Sequence, residues 1–220
     1  MNNEVIKAID IRKSYEHIEV LRGVDVSIRS REIVSIVGKS GAGKSTLLHI
    51  LGTLDRADQG QLIIDNTDVL KLKDKELANF RNQHIGFVFQ FHYLLNEFTA
   101  LENVTIPGLI QKRPIGEVEQ KAKELLDFLG LGDRLHHKPS QMSGGEQQRV
   151  AVARALVNNP QVVFADEPSG NLDSQNSEEL YKLFFKLRDE MNQSFVIVTH
   201  NEYFAQMSDR ILNMQDGKIL

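Results

Sequence analysis

Residues 38–46, GKSGAGKST, follow the pattern G-x-x-x-x-G-K-[ST] between an apolar run, EIVSIVG, and the helix-forming KSTLLHILG. A strand, a glycine loop and a helix in that order form a cradle for nucleotide phosphates. Gly38, Gly41 and Gly43, with Lys39, Ser40 and Ala42 between them, let backbone N–H groups face the phosphates. The Lys44 ammonium reaches the β- and γ-oxygens, and the Ser45 hydroxyl, followed by Thr46, can ligate Mg2+. A nucleotide carrying β- and γ-phosphates, together with Mg2+, is therefore the expected ligand.

A second chemical group lies far along the chain, in VVFADEP. Asp166 ends a buried strand, where its carboxylate can hold the hydration shell of Mg2+ opposite Ser45. Glu167 follows it and can polarise a water for in-line attack on the γ-phosphate. His200 ends SFVIVTH, at the carboxyl edge where open α/β sheets bind their ligands. Gln90 ends IGFVFQ in the same way, and its amide could reach either Mg2+ or the attacking water.

The stretch QMSGGEQQRVAVARAL is more puzzling. Ser143, Gly144 and Gly145 lead straight into a helix, and a glycine-led helix N-terminus attracts anions. Yet no lysine follows, and the phosphate loop is already complete elsewhere.

The periodicity of the chain predicts the elements that position these residues. VIKAIDIRKSY and VLRGVDVSI alternate as two strands joined by a turn, while EIVSIVG, IGFVFQ, QVVFAD and SFVIVTH read as buried strands. Helices are expected after Lys44, over residues 74–82, after Gly145, and over residues 174–190. Another is marked by Ile115, Val118, Ala122, Leu125, Leu126 and Leu129, with Gly130 as its stop. Strands alternating with helices predict a three-layer α/β core on a largely parallel sheet. The expected organisation is one domain over residues 1–220, with a core near 1–90 and 160–220 and a mostly helical insert near 91–159.

Composition narrows the partners. The 220 residues carry a net charge of −4, which argues against a nucleic-acid binder. There is no cysteine, hence no disulfide framework or thiolate metal site. MNNEVIKAID lacks the apolar segment of a signal peptide, and no apolar run is long enough to span a membrane.

Together these residues resemble the ATP-binding cassette (ABC) family, over essentially the whole chain and in the family's order. The resemblance places the aromatic adenine platform on Tyr15, Walker A on residues 38–46 and the Q-loop on Gln90. It places the signature on MSGGEQQR, Walker B on VVFAD followed by Glu167, the D-loop on SGNLD and the switch histidine on His200. It implies a P-loop NTPase with a RecA-like core, an N-terminal antiparallel β region and a helical signature subdomain. It implies an ATPase whose catalytic residues are Glu167, His200 and Gln90, with Ser45, Gln90 and Asp166 at the metal. The second glycine loop gains a purpose as well. Two copies pair head to tail, so that Ser143, Gly144 and Gly145 of one face the γ-phosphate held by the other.

Within the family, QFHYLLNEFTALENVTIPGLI, LGTLDRADQG and ARALVNNP look like the lipoprotein-releasing (Lol) branch. That resemblance implies a motor on the cytoplasmic face of the bacterial inner membrane, held there by integral permease subunits and driving lipoproteins toward the outer membrane. The alternatives are a macrolide- or peptide-type exporter, and a division-type ABC protein using ATP mainly to control assembly. The partner is expected on the segment from Phe91 through His92, Tyr93, Leu94 and Leu95 to Phe98, with about half of these side chains packing the core. Three positions depart from the family's usual residues: Arg31 for glycine, Met142 for leucine and Ser169 for threonine. The first questions a local turn, and the other two leave the chemistry intact.

Overall fold

A computed structural model describes residues 4–220. The chain opens with β1 (Glu4–Tyr15), β2 (Ile18–Arg29) and β3 (Ile33–Val37), then α1 (Lys44–Leu51), β4 (Gln59–Ile64), β5 (Thr67–Asp68), α2 (Asp74–His84) and β6 (Ile85–Phe89). Three helices follow without a strand: α3 (Ala100–Ile110), α4 (Ile115–Phe128) and α5 (Gly144–Leu156). The chain closes with β7 (Val162–Asp166), α6 (Ser174–Met191), β8 (Ser194–Val198), α7 (Glu202–Met207), β9 (Arg210–Gln215) and β10 (Lys218–Ile219).

Two sheets result. One has the order β2-β1-β4-β5 and is antiparallel throughout. The other, β10-β9-β3-β8-β7-β6, is parallel except for its β9–β10 edge. The period of a strand explains why the parallel sheet supports two cores. In β8, Phe195 and Ile197 pack among the helices with Val104, Leu126 and Phe184, whereas Val196 and Val198 face the opposite way. In β7, Val163 and Ala165 join the helical side, while Val162 and Phe164 join Leu47, Ile11 and Ile28 beneath the antiparallel sheet. Strands buried on both faces read as continuous apolar runs, as EIVSIVG and SFVIVTH do. Each fully buried Phe, Ile or Leu contributes about 1.5–3 kcal/mol.

The expected strands and helices form, and α2 runs two residues further than expected. The structure adds α3, α7, β4, β5, β9 and β10 to the elements expected from the sequence. α3 begins with a reciprocal cap: Glu102 N–H donates to Thr99 Oγ1 (3.2 Å) and Thr99 N–H donates to the Glu102 carboxylate (2.7 Å). Inside it, buried Asn103 accepts from Leu95 N–H and donates to the carbonyls of Leu95, Phe98 and Thr99. That side chain moulds the turn in front of the helix. Arg31 adopts φ 62° between β2 and β3, with its N–H donated to Ser194 Oγ at 2.9 Å. A left-handed conformation accounts for the glycine usual there, and arginine occupies it at some cost.

Candidate active site

The phosphate loop leaves β3 at Val37 and enters α1 at Lys44. Gly38 passes so close to β9 that a Cβ there would collide with the Met214 carbonyl oxygen. Gly43 caps α1 at φ 100°, and the first turn of α1 carries no acidic residue to oppose an anion. Lys44 is buried, and its Nζ donates to the carbonyls of Gly38 (2.9 Å) and Lys39 (3.1 Å). Its ammonium therefore lies across the loop instead of extending into solvent. Tyr15, at the end of β1, presents a half-exposed ring beside Thr46, and its hydroxyl donates to Asp55 at 2.5 Å. That hydrogen bond raises the phenol's pKa. The Lys13 ammonium also bonds Asp55 and sits 5.1 Å from the ring centre, so the ring is held from both ends.

The adjacent strands carry the acidic groups. Ser45 Oγ donates to Asp166 Oδ1 at 3.2 Å, joining the start of α1 to the end of β7. His49, one helical turn after Ser45, brings Nε2 to 3.6 Å from Asp166 Oδ2. Sequence reasoning assigns no role to His49, although its i+4 spacing from Ser45 places it on the same helix face. Ser45 and Asp166 offer hard oxygen donors of the kind Mg2+ takes. Among the described residues no cluster of three or more His, Cys, Asp or Glu could hold a metal. The pair thus fits an ion completed by water and the substrate's own phosphates, not a metal bound by protein alone.

Glu167 stands in the left-handed region at φ 47°. Its N–H donates to Val198 O (3.0 Å) and its carbonyl accepts from Gly170 N–H (2.9 Å), so flanking segments hold a conformation that costs on the order of 1–3 kcal/mol. One carboxylate oxygen accepts from His200 N–H at 3.3 Å, and the other lies 3.1 Å from His200 Nε2. The latter approach lacks hydrogen-bond alignment, leaving buried Oε1 free to accept a proton. Burial pushes the carboxyl's pKa up; His200 and Lys44 oppose the shift and Asp166 adds to it. A carboxylate so placed is a stronger base than one in water.

Gln90 follows β6 directly. Its Nε2 donates to Asn171 Oδ1 (3.2 Å), and Asn171 Nδ2 donates to the Gln90 carbonyl (3.0 Å). Among the described residues no hydrogen bond joins Gln90 to Ser45 or Asp166. The structure brings Lys44, Ser45, Asp166, Glu167 and His200 together and turns the Gln90 amide toward the loop after β7.

Ser143 caps α5 reciprocally with Glu146, at 3.2 and 2.8 Å, and Arg134 clamps the Glu146 carboxylate at 2.9 Å. A Cβ on Gly145 would collide with Asn176 Oδ1, so a side chain there would have to displace the Asn176 amide at the start of α6. No hydrogen bond among the described residues connects residues 143–145 with residues 38–46. The phosphate loop and the signature loop of one chain are separate features.

Beyond Gln90, Phe91, Tyr93, Leu95 and Phe98 are exposed, while Leu94 packs on the helical core and His92 is half-buried. The Arg154 guanidinium, from α5, donates to the carbonyls of His92 and Tyr93, both at 2.7 Å. Burial lowers its pKa. Sequence reasoning missed Arg154 because an arginine in ARAL looks like a solvated helix face. A cleft of about 460 Å³ opens beside this segment, lined in part by Phe87, Phe89, Pro107, Ile110 and Arg154.

Known proteins share this fold. Residues 21–170 match the family model described as ABC transporter. The chain is 61% identical over 217 residues to the lipoprotein-releasing system ATP-binding protein LolD of Cytophaga hutchinsonii, covering 99% of each chain. It is 59% identical to the protein of that name from Bacteroides fragilis, covering 96% of this chain and 97% of the relative. Among solved structures, a dimeric post-hydrolysis ATP-binding cassette bound to ADP and Pi aligns with a TM-score of 0.87 at 42% identity, covering 97% of this chain and 96% of that one. CbiO1 of Clostridium perfringens, part of an ABC transporter complex, aligns with a TM-score of 0.91 at 25% identity, covering 99% and 87%. The chain belongs to the ABC transporter family and is an ATP-binding, ATP-hydrolysing cassette of it.

Proposed function

We propose that this cassette is the motor of a lipoprotein-releasing transporter, working as a pair of copies on integral inner-membrane subunits at the cytoplasmic face. The observation that carries the reading is 61% identity to a LolD protein across 99% of both chains. Among the described residues no helix is long and apolar enough to cross a membrane, so attachment runs through the partner subunits.

In the catalytic cycle the backbone of residues 38–43 and the Lys44 ammonium bind the ATP phosphates, and Tyr15 supports the adenine. Ser45 and Asp166 would hold Mg2+, which would supply charge neutralisation at the phosphates. Glu167 takes a proton from the attacking water as its oxygen bonds the γ-phosphorus and the bond to ADP breaks. His200, whose N–H bonds the Glu167 carboxylate at 3.3 Å, orients that carboxylate. Gln90 exchanges Asn171 for the nucleotide site as the cassette closes. Ser143, Gly144 and Gly145 of the second copy complete the γ-phosphate shell, so ATP joins the copies and hydrolysis releases them.

The exposed aromatics after Gln90 and the adjoining cleft receive a short helix of the membrane subunit, an arrangement of the helix-in-groove kind. An interface aromatic that serves as a hot spot costs about 2 kcal/mol or more on truncation. Tyr93→Ala and Phe98→Ala should therefore weaken capture of the membrane subunits while nucleotide affinity and melting temperature hold. The wider reading is tested by reconstituting the complex in lipoprotein-loaded proteoliposomes. ATP-dependent release supports it; ATP hydrolysis without release, alongside export of another cargo, overturns it.

A further inference from the structure

Tyr181 projects from α6 into the core, 5% exposed, where its ring stacks on Phe204 at 4.0 Å. A phenylalanine would fill that slot equally well, so the hydroxyl needs its own explanation. A buried hydroxyl is costly unless bonded. This one bonds Ser169 Oγ at 2.5 Å and approaches Thr199 Oγ1 at 3.4 Å, and Thr199 Oγ1 in turn accepts from Asn201 N–H at 3.0 Å. Ser169 opens the SGNLD loop two residues after Glu167, and Thr199 and Asn201 flank His200. The same two segments are also joined by Glu167 N–H to Val198 O and by His200 N–H to the Glu167 carboxylate.

We infer that the Tyr181 hydroxyl is a positioning residue for hydrolysis, tying the loop after Glu167 to the strand end that carries His200. Glu167 sits in a strained conformation and needs both neighbours fixed. The same loop carries Asn171, which holds Gln90, so one buried phenol braces the loop on which the base and the Gln90 contact depend. The inference rests on the reading of Glu167 and His200 as the hydrolytic pair.

The test measures steady-state ATP hydrolysis by the full chain for Tyr181→Phe, Ser169→Ala and the double variant. Because small misplacements of reacting groups are expensive, kcat should fall about tenfold in each single variant with KM for ATP unchanged. The double variant should be no slower than the slower single one, since both remove the same link. Ser169→Thr, which restores a hydroxyl, should recover most of the rate lost in Ser169→Ala. Parent-like kcat in Tyr181→Phe, multiplicative losses in the double variant, or a rate loss matched by a collapsed melting temperature in both single variants would overturn the inference. Glu167→Gln in the same assay separates the two readings. If it abolishes turnover while Tyr181→Phe is parent-like, only this inference fails; if it turns over normally, the hydrolytic pair and the inference fail together.

Discussion

Arg154 offers a quantitative test of how the signature helix holds the segment after Gln90. Its guanidinium makes two 2.7 Å bonds to backbone carbonyls, of His92 and Tyr93. Hydrogen bonds to a charged donor are worth about 1.5–3 kcal/mol each. The Tyr93 carbonyl is the more exposed of the two acceptors, so its bond belongs at the low end or below. Arg154→Ala should then destabilise the chain by roughly 2–4 kcal/mol. At this chain length each kcal/mol is worth roughly 2–4 °C of melting temperature, so a fall of roughly 4–16 °C is expected. Arg154→Lys cannot reproduce the planar fork and should lie between parent and alanine. Tyr93 sits at φ 47°, so its segment should relax once released, visible as faster amide exchange over residues 91–95. Nucleotide affinity should remain, because Arg154 bonds none of residues 38–46. A melting temperature within a degree of the parent, with unchanged exchange, would refute the clamp.

The remaining predictions concern the site itself. Glu167→Gln should retain ATP binding and nearly stop hydrolysis, because the amide keeps the shape but cannot accept the proton; single-turnover ATP hydrolysis measures this. The same variant has a pH signature. The folded carboxyl holds its proton above the ordinary Glu range, so the parent is most favoured at low pH and loses that stability as pH rises through the folded pKa. The melting-temperature advantage of Glu167→Gln should therefore grow with pH across that window, and a constant difference would speak against the buried, uphill carboxylate. Gly145→Ala should drive a methyl into Asn176 and impair hydrolysis; Asn176→Ala should relieve it in the double variant, and no relief would show that the clash is not the cause.

Much of the site was legible because its residues sit at ends of strongly patterned strands. SFVIVTH and VVFAD each carry apolar residues on both faces, so their carboxyl edges were easy to place. The Ser45–Asp166 and Glu167–His200 contacts follow from the parallel pairing of β7, β8 and β3, which brings those edges side by side. The α3 helix was less legible despite its Thr99-x-x-Glu102 cap, since Pro107 lies inside it and its polar core residue Asn103 blurs the apolar period. The short strands β5 and β10 are formed by pairing rather than local preference, and α7 is too brief for periodicity to show. Gln90 and Arg154 illustrate a different limit. Their positions could be read, but the partners that orient them lie 81 residues away for Gln90 and 61 and 62 for Arg154, and are set by tertiary packing.

The proposed completion of one copy's nucleotide site by the signature loop of another has a direct biochemical readout. It is tested most directly by measuring ATP affinity and ATP-driven dimerisation in Lys44→Ala and Ser143→Arg side by side, with labelled nucleotide and light scattering. Lys44→Ala should lose monomer affinity, because the buried ammonium that spans the phosphate loop is gone. Ser143→Arg should bind ATP as a monomer with the parent's affinity and fail to dimerise. Equal loss of monomer affinity in the two variants would mean that both loops serve one site within a single chain, and would contradict the account.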